Sequence, residues 1–285
     1  MNQNVELSVI VPIHNEEDIL WDNAATVAAC FDEVVGQGRW QFILVNNAST
    51  DSTPEIIAKI LERWPPSRSI FVAEPNYGKA LKAGVDEADT EWLHVIDVEQ
   101  WDLPFFRWSW RYRDRYDVFI ASKRADPSIC RQPAYRRLLS WGLNALLQLF
   151  FAFPGTETHG PKLLNKENLR EILARCVMDR GQYDTEIVLR SLRTSKWIVE
   201  LPVPFAEVRP TRSLMVKKIF YNLRAFSRLR KVFRSEPYEA RPARLHRMCR
   251  EDVLAGVAPP ELPGVSAPAS SAPIAEAPLR RAGTR

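Results

Sequence analysis

Trp92-Leu93-His94-Val95-Ile96-Asp97-Val98-Glu99 is an apolar run that ends in two acids one residue apart, with Pro104 a few residues on. It reads as a strand. In an extended chain, positions i and i+2 point to the same side, so Asp97 and Glu99 can face one hard cation together while Val98 turns away. Carboxylate oxygens suit Mg²⁺ or Mn²⁺, which bridge a few protein carboxylates to substrate phosphates. Taken alone, the pair also fits a strand that simply ends in solvated acids. The chain before it decides between the two.

Leu7 to Pro12 (LSVIVP) is continuous and rich in β-branched residues, as a strand buried on both faces should be. Asn15 to Val35 predicts a helix, capped by Asn15 with Glu16 and Glu17 in its first turn. Phe42 to Val45 is the second strand, and Asn46 to Asp51 makes the turn after it. Thr53-Pro54 opens the next helix. Ile70 to Ala73 is a third strand and Lys79 to Ala88 a third helix, and the fourth strand delivers Asp97. This alternation predicts βαβ units and a mostly parallel sheet flanked by helices. Ligands of such sheets bind beyond the carboxyl ends of the strands. His14-Asn15-Glu16, Asn46-Asn47, Asn76 to Lys79, and Asp97 to Glu99 all fall at such ends, which points to a nucleotide-type ligand with a divalent cation. The first βα turn holds no glycine, and neither GxGxxG nor GxxxxGK[ST] occurs, so a dinucleotide-binding Rossmann domain and a P-loop enzyme are disfavoured.

Composition sets the bounds. A chain of 285 residues with a 46% hydrophobic share can bury a large core. Its four cysteines (Cys30, Cys130, Cys176, Cys249) and four histidines are scattered without metal-ligand spacing, so they suggest incidental thiols in a reducing compartment. No secretory leader is visible at the N-terminus. The longest apolar run, Leu138 to Phe153, falls short of the roughly 20 residues a spanning helix needs. These features predict a soluble or peripheral protein made in the cytoplasm; the basic helix and the resemblance described below add the expectation that it is peripheral at the inner face of the membrane.

The motifs match a known pattern. Val11 to Glu17 (VPIHNEE), Val45 to Thr53 (VNNASTDST), Asn76 to Gly84 (NYGKALKAG) and Asp97 to Pro104 (DVEQWDLP) resemble, in order, those of family-2 glycosyltransferases, which have the GT-A fold. Ile120 to Lys123, Thr156 to Leu164 (TETHGPKLL), Glu186 and Glu200 to Pro204 resemble the branch acting on dolichyl or undecaprenyl phosphate. The resemblance implies that Pro12, Asn15, Glu16 and Asn47 line the base and ribose of a nucleotide-sugar donor. It further implies that Asp97 and Glu99 hold the metal on the donor diphosphate, and that Lys79, Lys123 and Lys162 meet phosphate or acceptor charge. Glu157 becomes the candidate base or acceptor-positioning residue, and inversion at the anomeric carbon is expected. Two features depart from the family: Asn46-Asn47 replaces its usual Asp-Asp or Asp-Asn, and the metal motif is D-x-E instead of D-x-D.

Arg136 to Phe153 predicts an apolar helix, half core and half interface. Ser213 to Arg234 alternates apolar residues (Val216, Ile219, Leu223, Phe226, Phe233) with seven basic ones (Lys217, Lys218, Arg224, Arg228, Arg230, Lys231, Arg234) and holds no acid. It reads as an amphipathic helix in a membrane interface; nucleic acid is a poor partner for so apolar a stripe. The expected organisation is a single GT-A catalytic domain over residues 1–210, a C-terminal amphipathic helix over 211–236, and a disordered Pro/Ala-rich tail over 237–285. The function expected is metal-dependent transfer of a sugar from a nucleotide-sugar to a lipid-phosphate or glycan acceptor. The alternatives are a non-catalytic GT-A protein that binds nucleotide-sugar or a partner, and a sugar-nucleotide pyrophosphorylase.

Overall fold

The computed structural model describes residues 5–131, 133–206, 215–236 and 244–262. The first half alternates as the sequence predicts: β1 (Leu7–Ile13), α1 (Leu20–Val34), β2 (Trp40–Asn47), α2 (Thr53–Arg63), β3 (Arg68–Val72), α3 (Tyr77–Glu87) and β4 (Trp92–Val95). After it come α4 (Leu103–Arg111), β5 (Val118–Ser122), the two-residue β6 (Cys130–Arg131), α5 (Ala134–Phe151), β7 (Lys162–Asn165), α6 (Arg170–Arg175), α7 (Tyr183–Arg193) and β8 (Ile198–Pro202). The short β9 (Phe205–Ala206), α8 (Met215–Ser235), β10 (Leu245–Arg247) and α9 (Arg250–Leu254) complete the described chain.

One sheet of eight strands runs in the order β3-β2-β1-β4-β7-β5-β8-β10, while β6 pairs with β9 apart from it. Only β7 is antiparallel to its neighbours β4 and β5; every other pair in the large sheet is parallel. The chain steps from β1 outward to β2 and β3, then returns to β4 on the other side of β1. That reversal opens the crevice where ligands of such sheets bind. The inverted β7 brings its first residue to the same edge, because Lys162 pairs with Val95 of β4 and Ile120 of β5.

Side chains alternate between two cores, as the pleat requires. Val9 and Val11 of β1 join Phe31, Phe42, Phe105 and Phe106 on the α1/α4 face. Ile10, between them, joins Leu81, Tyr183 and Phe226 on the α3/α7/α8 face. Helix α3 lies close on the sheet because Gly84 has no side chain: a Cβ there would come within 2.4 Å of Ile10 Cγ2.

Three expectations are corrected. Helix α1 starts at Leu20, not Asn15, because the amides meant for its first turn are bound elsewhere. The N–H groups of Asn15, Glu16 and Glu17 donate to Ser49 Oγ, Thr53 Oγ1 and Asp51 Oδ2 of the β2–α2 turn. Asn15 adopts a left-handed φ of 57°, and its Oδ1 accepts from Thr50 N–H. Second, the expected disordered tail is ordered over residues 244–262. There β10 extends the sheet beside β8, Arg250 forks onto Asp102, and Trp108 and Tyr112 donate to the carbonyls of Val257 and Gly256. Residues 263–285 lie outside the described residues. Third, α8 forms, but Phe226, Leu229 and Phe233 are buried against α5 and α7 and do not face outward. Val216, Ile219, Lys217 and Lys218 lie outside the residues whose side chains are described, whereas Arg224, Arg228, Arg230, Lys231 and Arg234 are exposed.

His94, buried among Phe31, Phe105 and Phe106, donates from Nδ1 to the Lys162 carbonyl and so ties β4 to β7. Burial pushes its pKa down to about 4. The unfolded chain therefore takes up a proton near pH 6.5 that the fold resists until about pH 4. Stability from neutral His94 is present above pH 6.5 and lost as pH falls through that window, by about 3 kcal/mol in all. Urea unfolding between pH 7 and 4 should show this loss, and His94→Gln, which keeps a donor but does not titrate, should flatten it.

Candidate active site

The carboxyl ends of β1, β2, β4, β5 and β8 share one edge, and the polar residues singled out in the sequence gather there. Strand β4 ends at Val95, and Asp97 to Gln100 form a turn closed by Gln100 N–H to the Asp97 carbonyl at 3.1 Å. The expected extended Asp97-x-Glu99 is thus a turn, although Val98 does point into the core. Asp97 is half-buried and Glu99 exposed. Burial lifts the Asp97 carboxyl to about 6; Lys162 opposes that shift and Asp184 adds to it. No group of three or more metal-ligating side chains occurs among the described residues.

Lys162 is fully buried. Its ammonium donates to the Gly160 carbonyl at 2.6 Å and meets Asp184 Oδ2 at 3.4 Å. Asp184, at the head of α7, also lies 3.8 Å from His159 Nε2, which donates to the Gly181 carbonyl. Asp184 was not singled out in the sequence. Its only signal there is its place two residues before Glu186, and Glu186 itself is structural: it accepts from Val177 and Met178 N–H and from Arg190.

Glu157 is held by its backbone. Glu200, buried in β8, accepts from the N–H groups of Thr156 and Glu157 through Oε1 and from the Thr156 hydroxyl and Arg247 through Oε2. Ser122, at the end of β5, bonds the same Thr156 hydroxyl at 2.8 Å. The segment passes so close to β5 that a Cβ on Gly160 would come within 1.9 Å of the Ala121 carbonyl oxygen. Glu157 Oε1 accepts from Thr158 and His159 N–H, while Oε2 has no hydrogen bond and lies 3.8 Å from Lys123 Nζ. Burial alone would raise its pKa. Lys123 and His159 more than offset that and hold the carboxyl below its ordinary range, so it is ionised at neutral pH.

The Lys123–Glu157 pair lines two clefts at once. A small one of about 70 Å³ runs to Glu99, Gln100, Trp101 and Phe205. A larger one of about 470 Å³ opens between α5, α7 and α8, lined by Tyr77, Arg124, Asn144, Leu147, Gln182 and Tyr221 among others. In its wall, Asn144 Oδ1 and Gln182 Oε1 are buried without a hydrogen-bond partner. A cavity of about 740 Å³ lies at the opposite edge of the sheet, around Asp89, Arg113 and Lys166. It is away from every group just described and at the strand ends where such folds do not bind ligands.

The remaining expected residues lie outside this cluster. Pro12 sits half-buried near the end of β1. The Asn47 side chain accepts from Asn76 N–H and so joins β2 to the start of α3. Asn15 and Glu16 belong to the clasp with the β2–α2 turn. Lys79 does not reach the Asp97 cluster: its ammonium pairs with Glu74 at 2.6 Å on the surface.

Comparison with known proteins agrees with this architecture. Residues 8–104 match the family model described as glycosyl transferase family 2. A dolichyl-phosphate beta-glucosyltransferase of Trichomonas vaginalis is 25% identical over 219 residues, 72% of this chain and 67% of that protein. A dodecaprenyl-phosphate galacturonate synthase of Rhizobium johnstonii is 35% identical over 97 residues, 33% of this chain and 28% of that one. The chain thus spans about two thirds of the first relative's length and under a third of the second's. Among solved structures, glucosyl-3-phosphoglycerate synthase of Mycobacterium tuberculosis, in complex with Mn²⁺, UDP and glucosyl-3-phosphoglycerate, aligns with a TM-score of 0.56 at 16% identity, covering 85% of this chain and 88% of that one. A mannosyltransferase from Pyrobaculum calidifontis with GDP-Man and Mn²⁺ gives 0.52 at 18% identity, covering 82% and 66%. Motifs in order, strand order and these likenesses converge: residues 8–104 match glycosyltransferase family 2, and the chain has the GT-A fold.

Proposed function

We propose that this glycosyltransferase moves a sugar from a nucleotide-sugar to a polyprenyl-phosphate-type lipid at the cytoplasmic face of a membrane, with Mg²⁺ or Mn²⁺ as cofactor. The observation that carries the reading is the Lys123–Glu157 pair lining both clefts, one running to Glu99 and the other to a cavity with cationic and apolar walls. The donor diphosphate belongs at the Asp97–Glu99 turn and the acceptor in the larger cleft. Cleavage of the sugar–phosphate bond then happens beside the pair.

Asp97 and Glu99 suit a hard divalent cation. They are oxygen donors on one turn, and the half-buried Asp97 carboxylate lacks enough positive charge nearby to keep an ordinary pKa. Two protein carboxylates are also what a cation shared with substrate phosphates needs. When bound, such an ion supplies charge stabilisation to the departing diphosphate. The rest of the site belongs to the chain's own side chains. Lys123 and Arg124 draw an anionic acceptor into the cleft. A phosphate acceptor is already ionised at neutral pH and needs no base. The ionised Glu157 is then a positioning group: it fixes the Lys123 ammonium beside the reacting centre. A hydroxyl acceptor would instead use it as general base. Buried acceptor oxygens left unpaired cost about 1–3 kcal/mol each. Sugar hydroxyls reaching Asn144 Oδ1 and Gln182 Oε1 would remove that cost.

The test is release of nucleoside diphosphate on mixing the protein with a panel of nucleotide-sugars, a polyprenyl phosphate and Mn²⁺ or Mg²⁺. Asp97→Asn should slow release by about 100-fold or more, each decade being 1.36 kcal/mol, and EDTA should abolish it. Equal release by wild type and variant would reject the assignment of Asp97. A soluble sugar acceptor outperforming every lipid phosphate would reject the lipid, and would be accompanied by loss of activity at low pH in step with Glu157.

Glu200→Gln makes a separate point. It keeps the shape of the side chain but turns one acceptor oxygen into a donor facing N–H or O–H groups. Stability should fall by about 1–3 kcal/mol, and kcat should fall with little change in donor KM, because the Thr156–Glu157 segment loosens while the donor side is untouched. Thermal melts and steady-state kinetics on the same preparation check both.

A further inference from the structure

Helix α5 carries an apolar stripe that nothing among the described residues covers. Leu138 is 66% exposed, Trp141 64% and Leu149 74%. Their spacing of three and eleven residues puts all three, with Ala145, within one narrow face of a 3.6-residue helix over roughly 16 Å. The opposite face, through Ser140, Leu143, Asn144 and Leu147, lines the larger cleft. Three large apolar side chains left in water on one helix face mark an interaction surface.

The charge around the stripe selects the partner. Arg137 is exposed on α5 itself. Beside Leu149, a groove of about 500 Å³ has an apolar floor of Phe151, Leu192 and Phe233 and a rim carrying Arg230 and Arg234. The Arg230 guanidinium lies over the Phe150 ring at 5.6 Å. Arg224, Arg228 and Lys231 add exposed cations on α8, and Ser213 to Arg234 holds no acid. An apolar ridge flanked by cations on one side fits an anionic bilayer leaflet, where Leu and Trp enter the headgroup boundary and arginine stays at the phosphates. A second copy of this chain would bring the same excess of positive charge to the same patch.

We infer that α5, through Leu138, Trp141 and Leu149, seats the protein on an anionic membrane surface, with the exposed arginines of α8 as its electrostatic rim. The apolar stripe of α8 is largely spent on the domain itself, because Phe226 and Phe233 are buried in it and Leu223 is half-buried. With α5 against the leaflet, its other face holds the larger cleft one helix diameter from the lipid. The placement rests on the acceptor reading given above, but the docking itself does not.

The test uses the full chain without donor or acceptor. Co-sedimentation is measured with vesicles of phosphatidylcholine alone and with 30% phosphatidylglycerol, for wild type, for Leu138→Ser/Trp141→Ser/Leu149→Ser, and for Arg230→Glu/Arg234→Glu. Wild type should bind the anionic vesicles and hardly the neutral ones. The triple variant should lose at least about tenfold in partitioning, as should the charge-reversal variant, and both should keep wild-type circular dichroism because all five side chains are on the surface. Undiminished binding by the triple variant, or no binding by wild type, overturns the proposal. So does a wild-type dimer in sedimentation velocity that the triple variant abolishes, since the stripe would then be a protein interface. Transfer to a short water-soluble phosphate acceptor should be the same for wild type and triple variant. Loss of vesicle binding with that transfer intact separates failure of docking from failure of the catalytic reading.

Discussion

The carboxylate of Glu200 is the constraint on which the site depends. It is buried in a central strand, so its charge must be met there or the fold loses several kcal/mol. It is met by two backbone amides of the segment after α5, by the Thr156 hydroxyl and by Arg247 from the C-terminal strand. The same four bonds that satisfy Glu200 therefore fix where Glu157 emerges and where the sheet's last strand attaches. Removing the charge would free a loop as well as unburden a core. This is why a residue away from both clefts governs the geometry between them.

The inverted β7 adds the second constraint. An all-parallel sheet would place only strand ends of one kind at the ligand edge. A single antiparallel strand between β4 and β5 places the start of a strand there, and that start is Lys162. A buried ammonium needs a counter-charge, which α7 supplies in Asp184. Asp97, Lys162, Asp184 and His159 form one electrostatic unit drawn from a loop, a strand and a helix distant in sequence. Lys162 and Asp184 hold their charges together in the buried part of the unit, while Asp97 and His159 lie at its partly open side, where an incoming diphosphate would interact with it strongly.

Helix α8 takes a core role that its sequence did not suggest, while α5 keeps both a packed and an exposed apolar side. Amphipathicity identifies a helix with one apolar face but does not say what covers it. For α8 the cover is α5 and α7, and Phe226, Leu229 and Phe233 close the core. For α5, the longer apolar run leaves a surplus: one side packs against α8, one lines the cleft, and the remainder stands in solvent. A helix apolar on nearly all sides is explained by two partners and an interface, where a purely amphipathic one needs only a core.

Periodicity and turn chemistry in the sequence determined the alternating βαβ order, the carboxyl-end position of the polar clusters and the turn of Val98 into the core, because these depend on neighbours within a few residues. The family motifs reached further and identified Asp97, Lys123, Glu157 and Lys162 as residues to watch. Tertiary structure alone decided the rest. Asn15 left the helix because Ser49 and Thr50, more than thirty residues away, took its hydrogen bonds, and Thr53 took the amide of Glu16 beside it. Lys79 went to Glu74, a surface ion pair no closer to the cluster for being next to a motif. Residues 250–262 became ordered because Asp102, Trp108 and Tyr112 offered them partners that their own composition could not predict. Local sequence fixes which groups want partners; which partner each finds is a matter of distance in the folded chain, and that is settled only when the sheet has brought its edges together.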